Sequence, residues 1–485
     1  MEPATKPKPP VVLFVLGTTA VGKSKLALDL AEALNGEIVN ADSMQIYKGN
    51  EGVMTAKPTG EEKARMAHHL YDIIEMHQQD FNVNKYVKLA VAKIDEILSR
   101  GKLPVVVGGT NYYIEGLIYR KREAQFDERL FRECMEAQRG RVAQDFQEVF
   151  QAFVENIPPD TKANLDNEKF ESEKMHGLLE IFDSKKAVQL HSKDRRRIIN
   201  ALFKKLRWLY LEGEPDEVQL RYFPIINWMR ASPPILLHRV TKRIDDMLFT
   251  QGGLKEAFDV FRASHALYGE TLDFQKGILQ AIGYKEFYPL YKHTQDLSSI
   301  EQDADSKRIL EQCKQGLIQS TMDYTKYQIK WLTKRLSPAF LKSPLLLTID
   351  LDNPKDYESV ALSKALERSK ELFEIWGKSA DYEIWQMLSQ IAEYDKGIKS
   401  EKMQGWTKKR CEYCSQELNG EKQWQEHIQT RKHKNNVHRQ WKLDNPEKVQ
   451  QYNEKRKAEK SSSDHIDQHE IDQDMDLFQN GHDDQ

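Results

Sequence analysis

Three groups of residues in this chain have the types and spacing of reacting or ligating side chains. The first is Gly17-Thr18-Thr19-Ala20-Val21-Gly22-Lys23-Ser24, which fits G-x-x-x-x-G-K-[ST]. Its glycines let backbone N–H groups turn toward an anion, and a helix beginning there adds favourable potential. Lys23 brings a point charge and Ser24 a hydroxyl for Mg²⁺ or a phosphate oxygen, so a phosphate compound is the expected ligand. The second is Asp42, in Asn40-Ala41-Asp42-Ser43-Met44-Gln45. A carboxylate there could hold metal or act as a general base, and residue types alone leave both open. The third is Cys411-x₂-Cys414-x₁₂-His427-x₅-His433, a zinc spacing in which a knuckle supplies two thiolates and one helix both imidazoles. Four protein ligands make such a zinc structural, and a module this small is expected to be unfolded without it. A redox reading of the Cys-x-x-Cys is poor, because both histidines fall on schedule.

A sheet is needed to position the first two groups. Val11–Gly17 is a β-branched run ending in the glycine-rich turn, and Lys25–Leu34 offers Leu26, Leu28, Leu30, Ala31 and Leu34 to a buried helix face. Glu37–Asp42 and Pro104–Gly108 read as further strands, with a helix over Tyr86–Arg100 between them. That alternation predicts a parallel sheet with helices on both faces. From Arg120 to Glu212 charged, helical-looking segments dominate, and strand signals return at Tyr222–Trp228 and Leu345–Leu351. Amphipathic segments at Ile235–Leu248 and Ile309–Leu336 fill the interval. Lys364–Ile391 looks helical, Lys396–Gln404 reads as a polar linker, and there is no internal repeat. The expected fold class is therefore α/β: a P-loop-containing parallel sheet with flanking helices, a helical insertion domain and a small C-terminal ββα-type zinc finger. In residues, this is a tail at 1–10, the catalytic core at 11–120 and 213–395, and the insertion at 121–212. A linker at 396–405, the finger at 406–440 and a disordered acidic tail at 441–485 complete it.

Composition narrows the class. The chain has 485 residues, 39% hydrophobic and 30% charged, enough for two or three domains with a large core. No apolar run approaches the roughly eighteen residues of a membrane span, so no membrane partner is expected. Met1–Pro10 has Lys and Pro but no Arg, and reads as neither signal nor transit peptide. The expected compartment is the cytosol, with mitochondrion and nucleus left open. Four cysteines exclude a disulfide scaffold, and Cys134 and Cys313 read as packed thiols. Residues 401–460 hold 15 Lys/Arg against 9 Asp/Glu, whereas 461–485 hold none against 8. A basic module before an acidic tail suggests nucleic-acid contact followed by a solvated segment.

The kind of phosphate compound follows from what is missing. A hydrolysing P-loop enzyme usually offers a second acidic strand end for Mg²⁺, but Val105–Val107 ends in Gly108-Gly109-Thr110. Asp42 is the acidic strand end that remains. Gly17–Ser24, Asp42-Ser43-Met44-Gln45-Ile46-Tyr47, Thr55-Ala56-Lys57-Pro58, His68-His69-Leu70 and Gly108-Gly109-Thr110 with Tyr113 follow one another in the chain. So do His191-Ser-Lys-Asp194-Arg195-Arg196-Arg197, Arg239 and Arg243 with Met247, Gln280–Glu286, and Tyr324 with Gln328 and Trp331. In this order the set resembles the tRNA dimethylallyltransferase (isopentenyltransferase) family, over about two thirds of the chain. The resemblance implies transfer of a dimethylallyl group from its diphosphate to N6 of an adenine in a tRNA anticodon stem-loop, 3′-adjacent to the anticodon, by a monomer. It implies Asp42 as the base, Thr110 as the residue that places the amine, and Gly17 to Ser24 as the diphosphate grip with Mg²⁺. It implies tRNA contacts from Asp42, Ser43, Met44, Gln45, Thr110, Arg195, Arg196 and Arg197. The finger resembles those of eukaryotic members.

The chain departs from the family at Asn200, where a second arginine is usual. Adjacent His68 and His69 diverge, so local hydrogen bonding is expected of them rather than metal binding. Tyr324, Gln328 and Trp331 share one helix face and read as core packing. Three other functions were weighed against tRNA prenylation: transfer to free AMP, ADP or ATP, an RNA-binding P-loop NTPase, and a catalytically dead RNA-binding protein. The insertion and finger oppose the first, the absent strand-end carboxylate the second, and the presence of Lys23, Asp42 and Thr110 the third.

Overall fold

A computed structural model describes residues 7–48, 52–78, 81–120, 128–155, 171–210, 219–404, 408–451 and 454. Eight strands precede the zinc-binding module: β1 (Val11–Gly17), β2 (Gly36–Asn40), β3 (His68–His69), β4 (Leu103–Val107), β5 (Tyr119–Arg120), β6 (Gln219–Leu220), β7 (Phe223–Arg230) and β8 (Leu346–Asp350). Six form one parallel sheet in the order β3-β2-β4-β1-β7-β8, while β5 and β6 pair antiparallel where the insertion leaves and rejoins. Leu13 lies opposite Val105 on one side of β1 and Ile225 on the other. Every residue of β1, β2 and β4 is buried, which is why β1 and β4 read as unbroken apolar runs, while β2 buries Glu37 and Asn40 as well. In such sheets ligands collect beyond the carboxyl ends of the strands. Here β1, β2 and β4 deliver Gly17, Asp42 and Gly108 to that edge.

Three helices lock the edge: α1 (Lys23–Ala33), α2 (Val83–Ser99) and α3 (Asn111–Ile118). On α2, Tyr86, Ala90, Ile94 and Ile97 form a buried stripe at helical spacing, and Asn82 caps the first turn. Tyr86 stacks on Tyr113 of α3 with centroids 3.8 Å apart, and its hydroxyl donates to the Asn40 carbonyl at 2.8 Å.

The chain divides into two compact units, 1–122 with 216–398 and 123–215 with 399–485. The insertion contributes α4 (Glu128–Gln138), α5 (Gln147–Glu155), α6 (Ser172–Phe182) and α7 (Arg195–Tyr210). They close over their own core, with Phe131, Phe150, Phe153, Leu179 and Leu202 fully buried or nearly so. The sheet unit continues with α8 (Pro233–Asp245), α9 (Gly253–Tyr268), α10 (Tyr284–His293) and α11 (Ala304–Trp331), which share a second core around Phe258, Phe261 and Phe287. Then come α12 (Ser363–Lys378) and α13 (Asp381–Gln404).

Three expectations change. Lys396–Gln404, read as a linker, is the last part of α13. Its Lys, Glu, Met and Gln are helix formers without a proline, so a polar sequence here continues the helix and is not a break. The zinc-binding module has strands β9 (Lys408–Cys411) and β10 (Gln416–Asn419), but its histidines come from two helices, α14 (Gly420–Ile428) and α15 (Arg431–Asp444). Thr430 makes the break: its hydroxyl accepts from His433 N at 3.2 Å and donates to the His427 carbonyl at 2.7 Å. The tail expected to be disordered from 441 begins as helix, since α15 reaches Asp444 and residues 446–451 are helical. Its Ser-rich and acidic part, from 455 onward, lies outside the described residues, as do 1–6 of the N-terminal tail.

Candidate active site and zinc centre

The phosphate loop is held by its backbone. Gly17 has φ +148°, and a Cβ there would meet the Met229 carbonyl oxygen at 2.5 Å. Gly22 caps α1 at φ 103°, so both invariable positions of the motif are glycine for steric reasons. Lys23 Nζ donates to Thr18 O at 2.6 Å and lies across the loop. Thr19 N donates to the Gln328 side-chain carbonyl at 3.1 Å.

Asp42 is oriented by the chain around it. Its own N–H donates to Asn40 Oδ1 at 2.9 Å, while its Oδ1 accepts from Met44 N at 2.9 Å. The Asn40 amide also donates to the Asp42 and Leu70 carbonyls, at 3.1 and 3.0 Å. Gly108 permits the facing turn to approach: a Cβ there would lie 2.1 Å from Ala41 O. Thr110 N donates to Ala41 O at 3.1 Å, and Thr110 Oγ1 accepts from Ser43 N at 2.9 Å and donates to Ser43 Oγ at 3.0 Å. The structure thus brings Asp42, Ser43, Met44 and Thr110 together. Gln45 points elsewhere; its amide donates to the Thr55 and Ala56 carbonyls at 3.0 and 2.8 Å and fixes that loop.

Lys23, Asp42 and Arg243 (on α8) lie within electrostatic reach of one another, the first two half-buried and Arg243 exposed. Burial holds Lys23 down at about 8, against the attraction of Asp42, and Arg243 pushes the same way as burial. Burial raises the Asp42 carboxyl above the ordinary range, outweighing the Met44 N–H, Lys23 and Arg243, which favour the anion. Arg243 is lowered by burial despite Asp42. Two cations against one anion leave a site with an excess positive charge, suited to a more highly charged anion. A cavity of about 190 Å³ beside Ser24 is lined by Arg243, Gln45, Tyr71 and His68 as well as by apolar Leu28, Ile38 and Val107.

Two contributors were not assigned their part by sequence. Arg243 carried no role of its own. Gln328, read as core packing, is buried, and its amide donates to the Gly109 carbonyl at 3.0 Å while its oxygen holds Thr19. Tyr324, one turn earlier on α11, donates to the same carbonyl at 3.1 Å. The signal available was a glutamine on an otherwise apolar helix face, since a buried amide needs partners. His68 and His69 are locally bonded, to Met66 O at 2.8 Å and Glu37 Oε2 at 2.7 Å.

Arg195, Arg196 and Arg197 belong to the other unit, in the first turn of α7. Arg196 and Arg197 are exposed, Arg197 reaches Asp194 at 3.3 Å, and Asn200 is exposed one turn on. The same unit carries Cys411, Cys414, His427 and His433, whose ligand atoms lie within 4.8 Å of one another. His433 Nδ1 is 3.3 Å from Cys411 Sγ, 3.6 Å from Cys414 Sγ and 3.2 Å from His427 Nε2. Tetrahedral zinc at ordinary bond lengths separates sulfur from nitrogen by about 3.6 Å and nitrogen from nitrogen by about 3.3 Å. The four donors therefore fit that ion. Asn436 Nδ2 donates to Cys414 Sγ at 3.3 Å and supports the thiolate from outside the ligand set.

The chain is similar to known proteins. The fold resembles that of a eukaryotic dimethylallyltransferase acting on tRNA, with a TM-score of 0.66, 24% identity, and coverage of 91% of this chain and 100% of that one. The tRNA dimethylallyltransferase of Mus musculus is 29% identical over 450 residues, 89% of this chain and 87% of that protein. That of Saccharomyces cerevisiae is 27% identical, covering 90% and 96%. That of Bacillus velezensis is 32% identical over 374 residues, 76% of this chain and 96% of that protein. The IPP transferase family profile matches residues 45–335, and the chain belongs to that family.

Proposed function

We propose that this chain transfers the dimethylallyl group of dimethylallyl diphosphate to N6 of the adenine at tRNA position 37, releasing diphosphate. The observation that carries this is the cluster of Lys23, Arg243 and Asp42, two cations and one carboxylate within electrostatic reach beside the phosphate loop. An exocyclic adenine amine is a weak nucleophile, and an allylic diphosphate ionises readily only when its oxygens are neutralised. As N6 bonds to the allylic C1, the C1–O bond breaks and its electron pair leaves on the diphosphate. Lys23, Arg243 and the N–H groups of Gly17 to Ser24 receive that charge. The N6 proton passes to Asp42, whose raised pKa makes it a better base near neutral pH. The Thr110 hydroxyl, tied to Ser43, fixes the amine.

Ser24 lines the cavity, and a serine hydroxyl with the oxygens of the diphosphate suits Mg²⁺, which takes few protein ligands and keeps several waters. Bound there, the ion supplies further charge neutralisation to the leaving group. The apolar side of the cavity, Leu28, Ile38 and Val107, suits the five-carbon chain.

The target base must leave its stack to be reached. Arg195, Arg196 and Arg197 crowd the first turn of α7 with no acidic residue there. Cations are unfavourable at a helix N-terminus, and RNA phosphates would compensate them. The zinc-binding module is assigned a structural Zn²⁺ and a supporting hold on tRNA. Among the described residues no helix is long and apolar enough to cross a membrane, and the cytosol and a monomer are the working assignments. Incubating the protein and Mg²⁺ with labelled dimethylallyl diphosphate and tRNA, tRNA lacking the target adenine, or AMP tests the reading. Label on intact tRNA alone is expected; label on AMP and not on tRNA overturns it.

A further inference from the structure

One exposed surface of the sheet unit is unused by the chemistry above. Tyr112, in the first turn of α3, is 48% exposed, and Tyr327, on α11, is 46% exposed. Both stand beside the catalytic turn. The Tyr327 hydroxyl donates to that of Tyr112 at 3.4 Å, which brings the tips of the two side chains together. The Tyr327 ring also stacks on Tyr324, with centroids 6.2 Å apart and planes 18° from parallel. Tyr324 in turn donates to the Gly109 carbonyl at 3.1 Å, so one residue separates the exposed pair from the turn that ends in Thr110.

The pair is backed by aromatic rings and by a guanidinium. The Arg335 guanidinium lies 5.6 Å from the Tyr112 ring and 5.4 Å from that of Trp331, and pairs with Glu115 at 3.0 Å. Trp331 meets Tyr112 edge-on at 5.9 Å. Lys330 and Lys334 are exposed along the same stretch. Rigid rings, partly wet, flanked by positive charge and next to a catalytic turn, are the chemistry that single-stranded RNA recognises.

We infer that Tyr112 and Tyr327 form a stacking platform for the base next to the target adenine in the RNA loop. The inference rests on the prenyl-transfer reading above. Drawing one base out of a loop breaks the stacking of its neighbour. An open aromatic face beside the pocket restores that stacking, and Arg335, Lys330 and Lys334 meet the phosphates on either side. Adjacency to Gly109 limits this to an immediate neighbour of the target adenine, because a nucleotide further along the loop would not reach.

The test uses the full chain and synthetic anticodon stem-loops, intact or abasic at the 5′ or the 3′ neighbour of the target adenine. Tyr112→Ala and Tyr327→Ala are expected to raise the KM for the intact stem-loop roughly 5- to 100-fold. The KM for dimethylallyl diphosphate stays unchanged, and Tyr112→Phe and Tyr327→Phe, which keep the ring, stay near wild type. One of the two abasic stem-loops is expected to lose the same factor with wild-type protein and nothing more with Tyr327→Ala, because the removed partners are the same pair. Unchanged KM in the alanine variants, or losses that multiply with both abasic stem-loops, overturn the platform. Stem-loop affinity measured without dimethylallyl diphosphate separates the two readings. Affinity that depends on the platform without any transfer keeps this inference and sinks prenyl transfer. Transfer with affinity indifferent to both tyrosines does the reverse.

Discussion

Gln328 joins the phosphate loop to the turn that carries Thr110, and replacing it with leucine removes that link at nearly constant volume. Thr19 N–H then loses an acceptor at 3.1 Å, and the Gly109 carbonyl loses a donor at 3.0 Å while keeping the Tyr324 hydroxyl at 3.1 Å. An orphaned buried polar group costs about 1–3 kcal/mol. Thr19 is only half-buried and Gly109 retains one partner, so the low end applies to each, about 1–1.5 kcal/mol, or about 2–3 kcal/mol together. At roughly 2 °C per kcal/mol for a domain of this size, the thermal midpoint should fall by roughly 4–6 °C. Activity should fall further, because the leaving-group grip and Thr110, which places the amine, lie on the two loops being released. A displacement of about 1 Å between them costs about 100-fold in kcat/KM.

Gln328→Glu separates positioning from packing. An ionised glutamate still accepts from Thr19 but cannot donate to Gly109, and Asp42 is close by: a Cβ on Gly109 would meet Gln328 Nε2 at 2.9 Å and Asp42 Oδ2 at 3.2 Å. Burial and the neighbouring Asp42 both raise the pKa of a carboxyl placed there. With the folded value above the unfolded one, the variant is best at low pH, where its protonated oxygen can donate, and worsens as pH rises through the raised value. Scanning calorimetry and initial rates from mildly acidic to neutral pH read both effects. Gln328→Leu with a wild-type midpoint and wild-type kcat/KM would refute the link.

The pH profile of kcat/KM for dimethylallyl diphosphate is expected to be bell-shaped. Its acid limb belongs to Asp42, which must be ionised to accept a proton and whose pKa lies above the usual carboxylate range. Its alkaline limb falls near the Lys23 value of about 8, since only the cation grips diphosphate; Lys23→Arg should abolish that limb whatever its absolute rate, and a persisting limb would reassign it. Asp42→Asn keeps the Met44 contact but cannot take a proton, so transfer should be lost with stem-loop affinity retained; measurable turnover removes Asp42 as base. Gly108→Ala drives a methyl toward Ala41 O, 2.1 Å away, and should yield little folded protein, as judged by circular dichroism. Chelating zinc, or Cys411→Ser, should unfold the β9–α15 module and weaken tRNA binding while transfer to saturating stem-loop persists; unchanged tRNA affinity would point to protein docking instead.

What the sequence showed and what it hid divide along a physical line. Gly17, Gly22 and Lys23 are readable because backbone sterics and a single charge confine them to one loop shape. The unbroken apolar runs of β1 and β4 declare two-sided burial in the same local way. Gln328 was misread because its partners, Thr19 and Gly109, are 309 and 219 residues away in the chain, and no local pattern encodes such a pairing. Likewise His427-x₅-His433 suggested one helix, although five intervening residues cannot keep two imidazoles on one face as well as three or four can. The Gln-Thr before Arg431 was the local signal, for threonine is a helix N-cap.

The ambiguity between metal ligand and base at Asp42 turns on the same kind of non-local contact. Residue type and strand-end position suit either role, and only the surroundings separate them. One carboxylate oxygen is engaged by Met44 N–H, the Gly109 N–H also faces the group, and Lys23 and Arg243 stand by. A magnesium-binding carboxylate is normally one of several anionic ligands, whereas this one already has two cations for company and no second acid among the groups that shift it. Adding a divalent ion there would crowd a third positive charge against Lys23 and Arg243. A proton, taken one at a time from a neutral amine and given up to water, imposes no such cost, and burial has already moved the carboxyl toward it. The charge balance of the site, more than the identity of the residue, favours the base.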